Sequence, residues 1–240
     1  MEKYLYLTLN LLSFSIPFLF SFERRWLHFI QYFKPYILAI IAIAIPFILW
    51  DIWFTQIGVW GFNPRYLTGL DIYNLPIEEI LFFILIPYPS NFIHYSLLYF
   101  FPRTALNPRF ARILALILGL AAIAVAITHT QRLYTLTSFG TAGILLLAQY
   151  RYRWPIFNRY ILSFLLILIP FILVNGWLTG SYTPEPVVWY NDDQNLGIRV
   201  GTIPIEDFFY CFTMLYSSAL LFEHLLKKFN YKIPNCWQYD

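Results

Sequence analysis

Runs of about twenty mainly apolar residues recur along the chain, separated by shorter stretches rich in arginine, proline, asparagine and aromatic side chains. A helix that crosses the bilayer core needs ~20 such residues. Seven stretches reach that length: Tyr4 to Phe22, Pro35 to Phe54, Pro76 to Leu98, Phe110 to Ile127, Leu133 to Tyr150, Tyr160 to Leu178 and Pro204 to Leu226. The pattern predicts an all-α fold, a multi-pass membrane bundle of about seven transmembrane helices, with no soluble domain left over. The first stretch reads as an uncleaved helix. Glu2 stands beside one early lysine, the apolar core is long for a leader, and no A-x-A-like site precedes Glu23-Arg24-Arg25.

Composition supports lipid as the solvent. Charged residues make up 12% of the 240, about half of the ~25% usual in soluble domains. Such a chain cannot cover a water-facing surface with polar groups, and it is too apolar to be disordered. The net charge of +3 is too small and too dispersed for nucleic-acid binding. Cys211 and Cys236 offer neither a disulfide framework nor a metal-ligand spacing.

Lysine and arginine do mark the two sides of the membrane. Twelve fall on one side: Arg24, Arg25, Lys34, Arg103, Arg109, Arg112, Arg151, Arg153, Arg159, Lys227, Lys228 and Lys232. Four fall on the other: Lys3, Arg65, Arg132 and Arg199. The richer side is expected to be cytoplasmic, which predicts a cell-membrane protein with its N-terminus outside and its C-terminus inside.

Self-similarity carries the most information. One stretch ends in Leu49-Trp50-Asp51-Ile52-Trp53-Phe54, and the next opens with Pro76-Ile77-Glu78-Glu79-Ile80-Leu81-Phe82-Phe83. Later, Leu173-Val174-Asn175-Gly176-Trp177-Leu178 is followed by Pro204-Ile205-Glu206-Asp207-Phe208-Phe209-Tyr210. Trp53 and Trp177 are 124 apart, and Glu78 and Glu206 are 128 apart. The halves begin an even number of helices apart, so they cross in the same direction and form a parallel repeat. The expected organisation is a first repeat over 1–109, a linking helix over 110–132 and a second repeat over 133–240. Both acidic pairs then lie at the outer ends of their helices, facing each other across a pseudo-twofold interface.

A proline and an acid at a helix start are ordinary, because the missing N–H costs nothing there and the macrodipole attracts negative charge. Duplication makes them notable, since acids near membrane depth are costly and mark function. Burial and a neighbouring carboxylate favour the protonated form of a carboxyl group, while a helix N-terminus opposes it. Where burial and repulsion prevail, one member of a pair keeps its proton while another is ionised, supplying a general acid and a general base together. A strong local acid without water suits an olefin, whose protonation gives a carbocation. Aromatic faces stabilise such a cation by ~0.5–2 kcal/mol per contact. Phe82, Phe208 and Tyr210 follow the acids within one helical turn, and the expected topology brings Trp50, Trp53 and Trp177, with Asp51 and Asn175, to the same outer level of the membrane. Phe82 and Tyr210 each stand four residues after a glutamate, hence on its helical face.

Other chemistries find no support. There is no G-x-G-x-x-G after a strand, no G-x-S-x-G, no P-loop and no H-E-x-x-H. His28, His94, His129 and His224 are scattered, so no metal site is expected. No cofactor is encoded by a recognisable motif, which leaves dependence on a reduced cofactor open. The segment from Thr179 to Ile203 is long enough to be a lid over the outer face or a solvated loop.

With PIEE at 76–79 and PIED at 204–207 in tandem, the chain resembles the heterodimeric-type lycopene cyclases. In that family two homologous subunits, or one fused chain, each carry a P-x-E-(E/D) motif. The resemblance covers nearly the whole chain and implies lycopene or a related linear carotenoid as substrate in carotenoid biosynthesis. It further implies closure of its ends into β rings, giving γ-carotene and then β-carotene, an isomerisation without net redox change. Carried over, Glu78, Glu79, Glu206 and Asp207 are the expected acid–base residues, with Glu78 and Glu206 as the principals. Asp51, Trp53, Phe82, Asn175, Trp177, Phe208 and Tyr210 are the expected substrate-binding positions. Asn175 stands where the first half has Asp51, so the halves are not equivalent. The alternatives are hydration of the same cation, cyclisation of a longer carotenoid, a non-catalytic carotenoid- or lipid-binding membrane protein, and a small transporter whose acids relay protons.

Overall fold

The computed structural model describes residues 2–238. Its helices are α1 (Leu5–Phe20), α2 (Phe33–Gln56), α3 (Ile77–Leu85), α4 (Pro87–Phe100), α5 (Pro108–Thr128), α6 (Leu133–Tyr152), α7 (Phe157–Leu178) and α8 (Ile205–Lys228). Three short two-stranded pairings complete the fold: β1 (Trp60–Phe62) with β4 (Val188–Tyr190), β2 (Asp71–Ile72) with β3 (Leu75–Pro76), and β5 (Arg199–Val200) with β6 (Ile203–Pro204). The protein is a helical membrane bundle, as its apolar pattern predicts.

Six helical stretches among the described residues are long and apolar enough to cross a membrane: Glu2–Phe20, Phe29–Gln56, Ile77–Phe100, Pro108–Thr128, Phe157–Leu178 and Ile205–Lys228. The fifth expected span, Leu133 to Tyr150, forms α6, but it is not among those six. It carries Thr135, Thr137, Ser138, Thr141, Gln149 and Arg151. Thr137 and Thr141 donate to the carbonyls of Leu133 and Thr137, both at 2.7 Å, which satisfies their hydroxyls within the helix.

The third expected span is interrupted. Pro87 has no N–H to continue the helical ladder, and α3 and α4 are separated at Ile86. Together they still cover 24 residues, about 36 Å at 1.5 Å per residue. The equivalent stretch in the second half, α8, runs unbroken for 24 residues; Leu215 stands at the position of Pro87.

Two compact units divide the chain. One comprises Met1–Ile57, Phe62–Arg103 and Met214–Asp240, the other Gly58–Gly61 and Thr104–Thr213. In the first, Phe29, Tyr32, Tyr36, Tyr88, Tyr95, Phe222 and Trp237 form an aromatic core. Tyr95 and Trp237 have ring centroids 4.6 Å apart, and Tyr36 and Phe222 4.9 Å. The Tyr36 hydroxyl of this core donates to the Pro87 carbonyl at 2.6 Å, and in the same unit Asn91 donates to the Ser218 hydroxyl at 2.8 Å. A buried phenol or amide left without partners would cost about 1–3 kcal/mol.

In the second unit α5 presents Ala111, Ala115, Gly119, Ala122 and Ala126 as a buried small-residue stripe. A methyl group at Gly143 of α6 would stand 2.8 Å from Ile123 Cγ1. Packing without large side chains lets helix backbones approach closely where lipid offers no hydrophobic drive. The other faces are apolar and outward, with Ile113, Ile117 and Leu120 of α5 and Leu165, Ile169 and Leu173 of α7 all exposed. Faces of this kind suit acyl chains rather than water.

Candidate active site

Each acidic pair is positioned by a small hairpin that runs directly into a helix. In β2–β3 the register pairs Asp71 with Pro76 and Ile72 with Leu75. In β5–β6 it pairs Arg199 with Pro204 and Val200 with Ile203. Every one of these positions is displaced by 128 between the halves. Pro76 lies just before α3, with an extended backbone (φ −64°, ψ 145°), so the glutamates occupy the first helical turn. The N–H of Ile77 is taken by the Leu70 carbonyl at 2.8 Å and that of Ile205 by the Ile198 carbonyl at 3.0 Å. The first N–H groups of a helix otherwise lack acceptors.

The hairpins also reach back to the carboxyl groups. Glu78 is fully buried, and its Oε1 accepts the Thr68 N–H at 2.7 Å. Glu206 is fully buried as well, and its Oε1 accepts the Leu196 N–H at 2.8 Å and the Thr135 hydroxyl at 2.7 Å. Gly69 and Gly197 follow those two amides with φ of +81° and +70°, a left-handed conformation that side chains resist. The second oxygen of each glutamate, Oε2, is buried with no hydrogen-bond partner among the described residues. Two carboxyl groups at equivalent positions are thus each anchored to backbone through one oxygen.

The second acid of each motif is held differently. Tyr6 donates its hydroxyl to Glu79 Oε2 at 2.5 Å. Tyr134 donates to Asp207 Oδ1, and Tyr190 donates to Asp207 Oδ2 at 3.0 Å. Tyr6 and Tyr134 are also 128 apart. In the first unit Asn10 adds a bond from its amide to the Glu78 carbonyl at 2.8 Å. Tyr6, Tyr134, Tyr190, Thr135 and Asn10 are absent from the sequence-based site, although the 128-residue offset extended back to α1 and α6 would have found the first two.

The expected substrate-contacting residues are dispersed more widely. Phe82 lies beside Tyr6, with centroids 6.4 Å apart. Tyr210 joins a cluster in which Tyr134 meets Trp60 at 5.0 Å and lies parallel to Tyr190 at 5.8 Å; its own centroid is 6.4 Å from that of Tyr134. Phe208 packs instead on Phe171 and Trp177 on Tyr182. Asp51 is buried and accepts the Thr55 hydroxyl at 3.3 Å. Asn175 is half-buried, and Trp53 is exposed on α2.

The long loop of the second unit is ordered by its own bonds. Val187 N–H donates to Leu178 at 2.8 Å and Asn191 N–H to Val59 at 2.9 Å. Trp189 lies so close over Gly61 that a methyl group there would stand 2.3 Å from the indole. Asn195, and after it Arg199, hold the Asp192 carboxyl below the usual aspartate range through hydrogen bonds. This loop carries Tyr190 to Asp207.

Comparison with known proteins decides the family. The family model described as lycopene cyclase matches residues 3–98 and again residues 131–225. The chain belongs to the lycopene cyclase family. Both matched segments contain one P-x-E-(E/D) motif with its hairpin, and their starts are separated by the same 128 residues as the glutamates. The lycopene cyclase repeat is therefore present twice in one chain, and the protein is a membrane-embedded carotenoid cyclase. No curated protein and no solved structure matches the chain.

Proposed function

We propose that the protein is a lycopene β-cyclase that closes the linear ends of lycopene by acid–base chemistry. The observation that carries this reading is the duplicated glutamate, fully buried, with Oε1 on a backbone N–H and Oε2 open. In the neutral acid, Oε1 serves as the carbonyl oxygen that accepts the N–H, and Oε2 bears the proton. Glu78 and Glu206 are the proton donors in this reading. Protonation of a terminal 1,2 double bond at C2 places the cation on C1. The 5,6 double bond then attacks C1, moving the positive charge to C5. Loss of the C6 proton to a carboxylate restores a double bond and makes a β ring, with no net oxidation.

Glu79 and Asp207 are the acceptors. Each receives a phenolic O–H, an arrangement that suits a carboxylate, which can only accept. The aromatic groups beside them, Phe82 in one unit and Trp60 and Tyr210 in the other, supply ring faces for a passing cation at ~0.5–2 kcal/mol each. Glu78 and Glu206 are buried among packed side chains, which keeps bulk water from capturing the cation as an alcohol.

Expression in a lycopene-accumulating bacterium, with pigments separated by chromatography, tests the reading. γ-Carotene and β-carotene are the expected products. Unchanged lycopene would refute it, and a hydroxylated product would assign the cation to water instead.

The distribution of basic residues, twelve against four, supports an outside N-terminus and an inside C-terminus in the cell membrane. Reporter fusions check it. A periplasm-active reporter is expected to work after Arg65 and Arg199, and a cytoplasm-active one after Arg103, Arg153 and Lys232. The reverse pattern would invert the topology.

A further inference from the structure

Among the described residues, the carboxyl groups of the motifs meet side chains that the motifs themselves do not encode. Tyr6 in α1 and Tyr134 in α6 are nearly inaccessible, at 1% and 2% exposure. Each donates to the second acid of its own half, Glu79 and Asp207. The pairs keep the 128-residue offset of the motifs, so the bond is part of the repeated unit.

We infer that Tyr6 and Tyr134 are positioning residues, which hold Glu79 and Asp207 as hydrogen-bond acceptors facing the reaction, with Tyr190 completing the arrangement on Asp207. This rests on the cyclase reading given above. A base that removes a proton from a ring cation must be ionised, yet a carboxylate away from water loses its hydration. Phenolic O–H groups replace that hydration with fixed donors, and such preorganised dipoles need no rearrangement during the reaction. Asp207 has a phenol on each oxygen, so its two acceptor positions are fixed in direction. Donation to a carboxylate also shifts electron density into the phenol ring, which strengthens that ring as a partner for a cation. Tyr134 lies against Trp60 and Tyr210, and Tyr6 against Phe82, so the polarised rings belong to the same aromatic groups.

Phenylalanine removes the hydroxyl and keeps the ring packing, which separates positioning from structure. Tyr6→Phe, Tyr134→Phe and the double variant are assayed with lycopene in liposomes. A hydrogen bond to a charged group is worth enough to lower kcat about 10-fold to 100-fold per site, with KM within about twofold because the ring contacts remain. A purely structural role would leave kcat of correctly inserted protein unchanged. Wild-type kcat in the double variant overturns the inference.

Infrared spectra of the substrate-free protein give a second readout. Carboxyl stretching bands, assigned by their loss in Glu79→Gln and Asp207→Asn, are expected to shift when the partner tyrosine becomes phenylalanine. Unshifted bands overturn the inference even where a variant is produced poorly. If the wild-type protein forms no ring product, the cyclase reading fails by itself; the infrared shift still decides whether the phenols hold these carboxyl groups.

Discussion

Glu206→Gln is expected to lower the rate of ring closure by at least about 100-fold, the range in which removing a general acid falls. Glu78→Gln is expected to do the same to the event its half performs. The substitution is chosen for shape. A glutamine oxygen at the Oε1 position still accepts the N–H of Leu196 or Thr68, which lie 2.8 and 2.7 Å from the glutamate oxygens. What disappears is the acid function that the proposed mechanism assigns to the second oxygen, which has no partner among the described residues. The amide nitrogen placed there is a donor without an acceptor and costs about 1–3 kcal/mol, so the yield of inserted protein must be measured alongside. Pigment analysis in whole cells, followed by initial rates in liposomes, reads the effect. Should both variants form β-carotene at the wild-type rate, the assignment of the acids is wrong. A difference between the two variants would show how labour is divided between the halves. An accumulation of γ-carotene in one of them would tie that half to the second ring.

The other large effect comes from a residue that carries no functional group. Gly197→Val, and equally Gly69→Val, is expected to destabilise the protein by about 1–2 kcal/mol through backbone strain and to reduce activity well beyond that of a neutral control. Apart from the adjoining residues, no heavy atom of the described residues lies within 4 Å of the position a Cβ would take at either glycine. The cost is therefore conformational: φ is +70° and +81°, a region β-branched residues avoid. Both glycines sit between the amide that holds the glutamate and the carbonyl that receives the first helical N–H. A change of φ there swings the amide away from Oε1, and the glutamate loses its anchor. Gly140→Ala is the control. Its added methyl group would meet only the Ala126 methyl at 3.8 Å, and alanine in a helix is favoured over glycine by roughly 0.5–1 kcal/mol. Thermal inactivation of the detergent-solubilised protein reads the stability change, and liposome rates read the catalytic one. A Val variant with wild-type rate and stability would show that the turn is adaptable and that the amide contact is incidental.

Much of this protein is visible in its one-dimensional pattern, because the bilayer imposes so few solutions. Backbone polar groups in hydrocarbon must be satisfied within the segment, so a run of twenty apolar residues is a helix almost irrespective of its neighbours. All seven expected stretches are helical, and the duplicated acids identify the repeat that the family match bears out. Where the pattern misleads, the cause is local. Pro87 and Pro89 remove two donors within one turn where α3 gives way to α4, and the hydroxyl residues of α6 leave it less apolar than its length suggests. The strands Asp71–Ile72 and Leu75–Pro76, and their counterparts near 200, are too short to give any alternation.

The sequence by itself determines that this chain lies in a membrane as a doubled set of helices, each half opening one helix with a buried-type acidic pair. Periodicity and duplication are properties of residues near one another or at a constant offset, and both survive without coordinates. Only the tertiary structure decides what each carboxyl oxygen meets. The Thr68 and Leu196 donors are backbone amides, which every residue but proline possesses, so no residue type announces them. Tyr6 and Tyr134 lie 73 residues before the acids they hold; the 128-residue offset pairs these two among the nineteen tyrosines of the chain, but only the fold shows which carboxyl group each one meets. That difference separates an acid anchored on a hairpin amide from one held by a phenol, because the phenols come from a distant part of the chain.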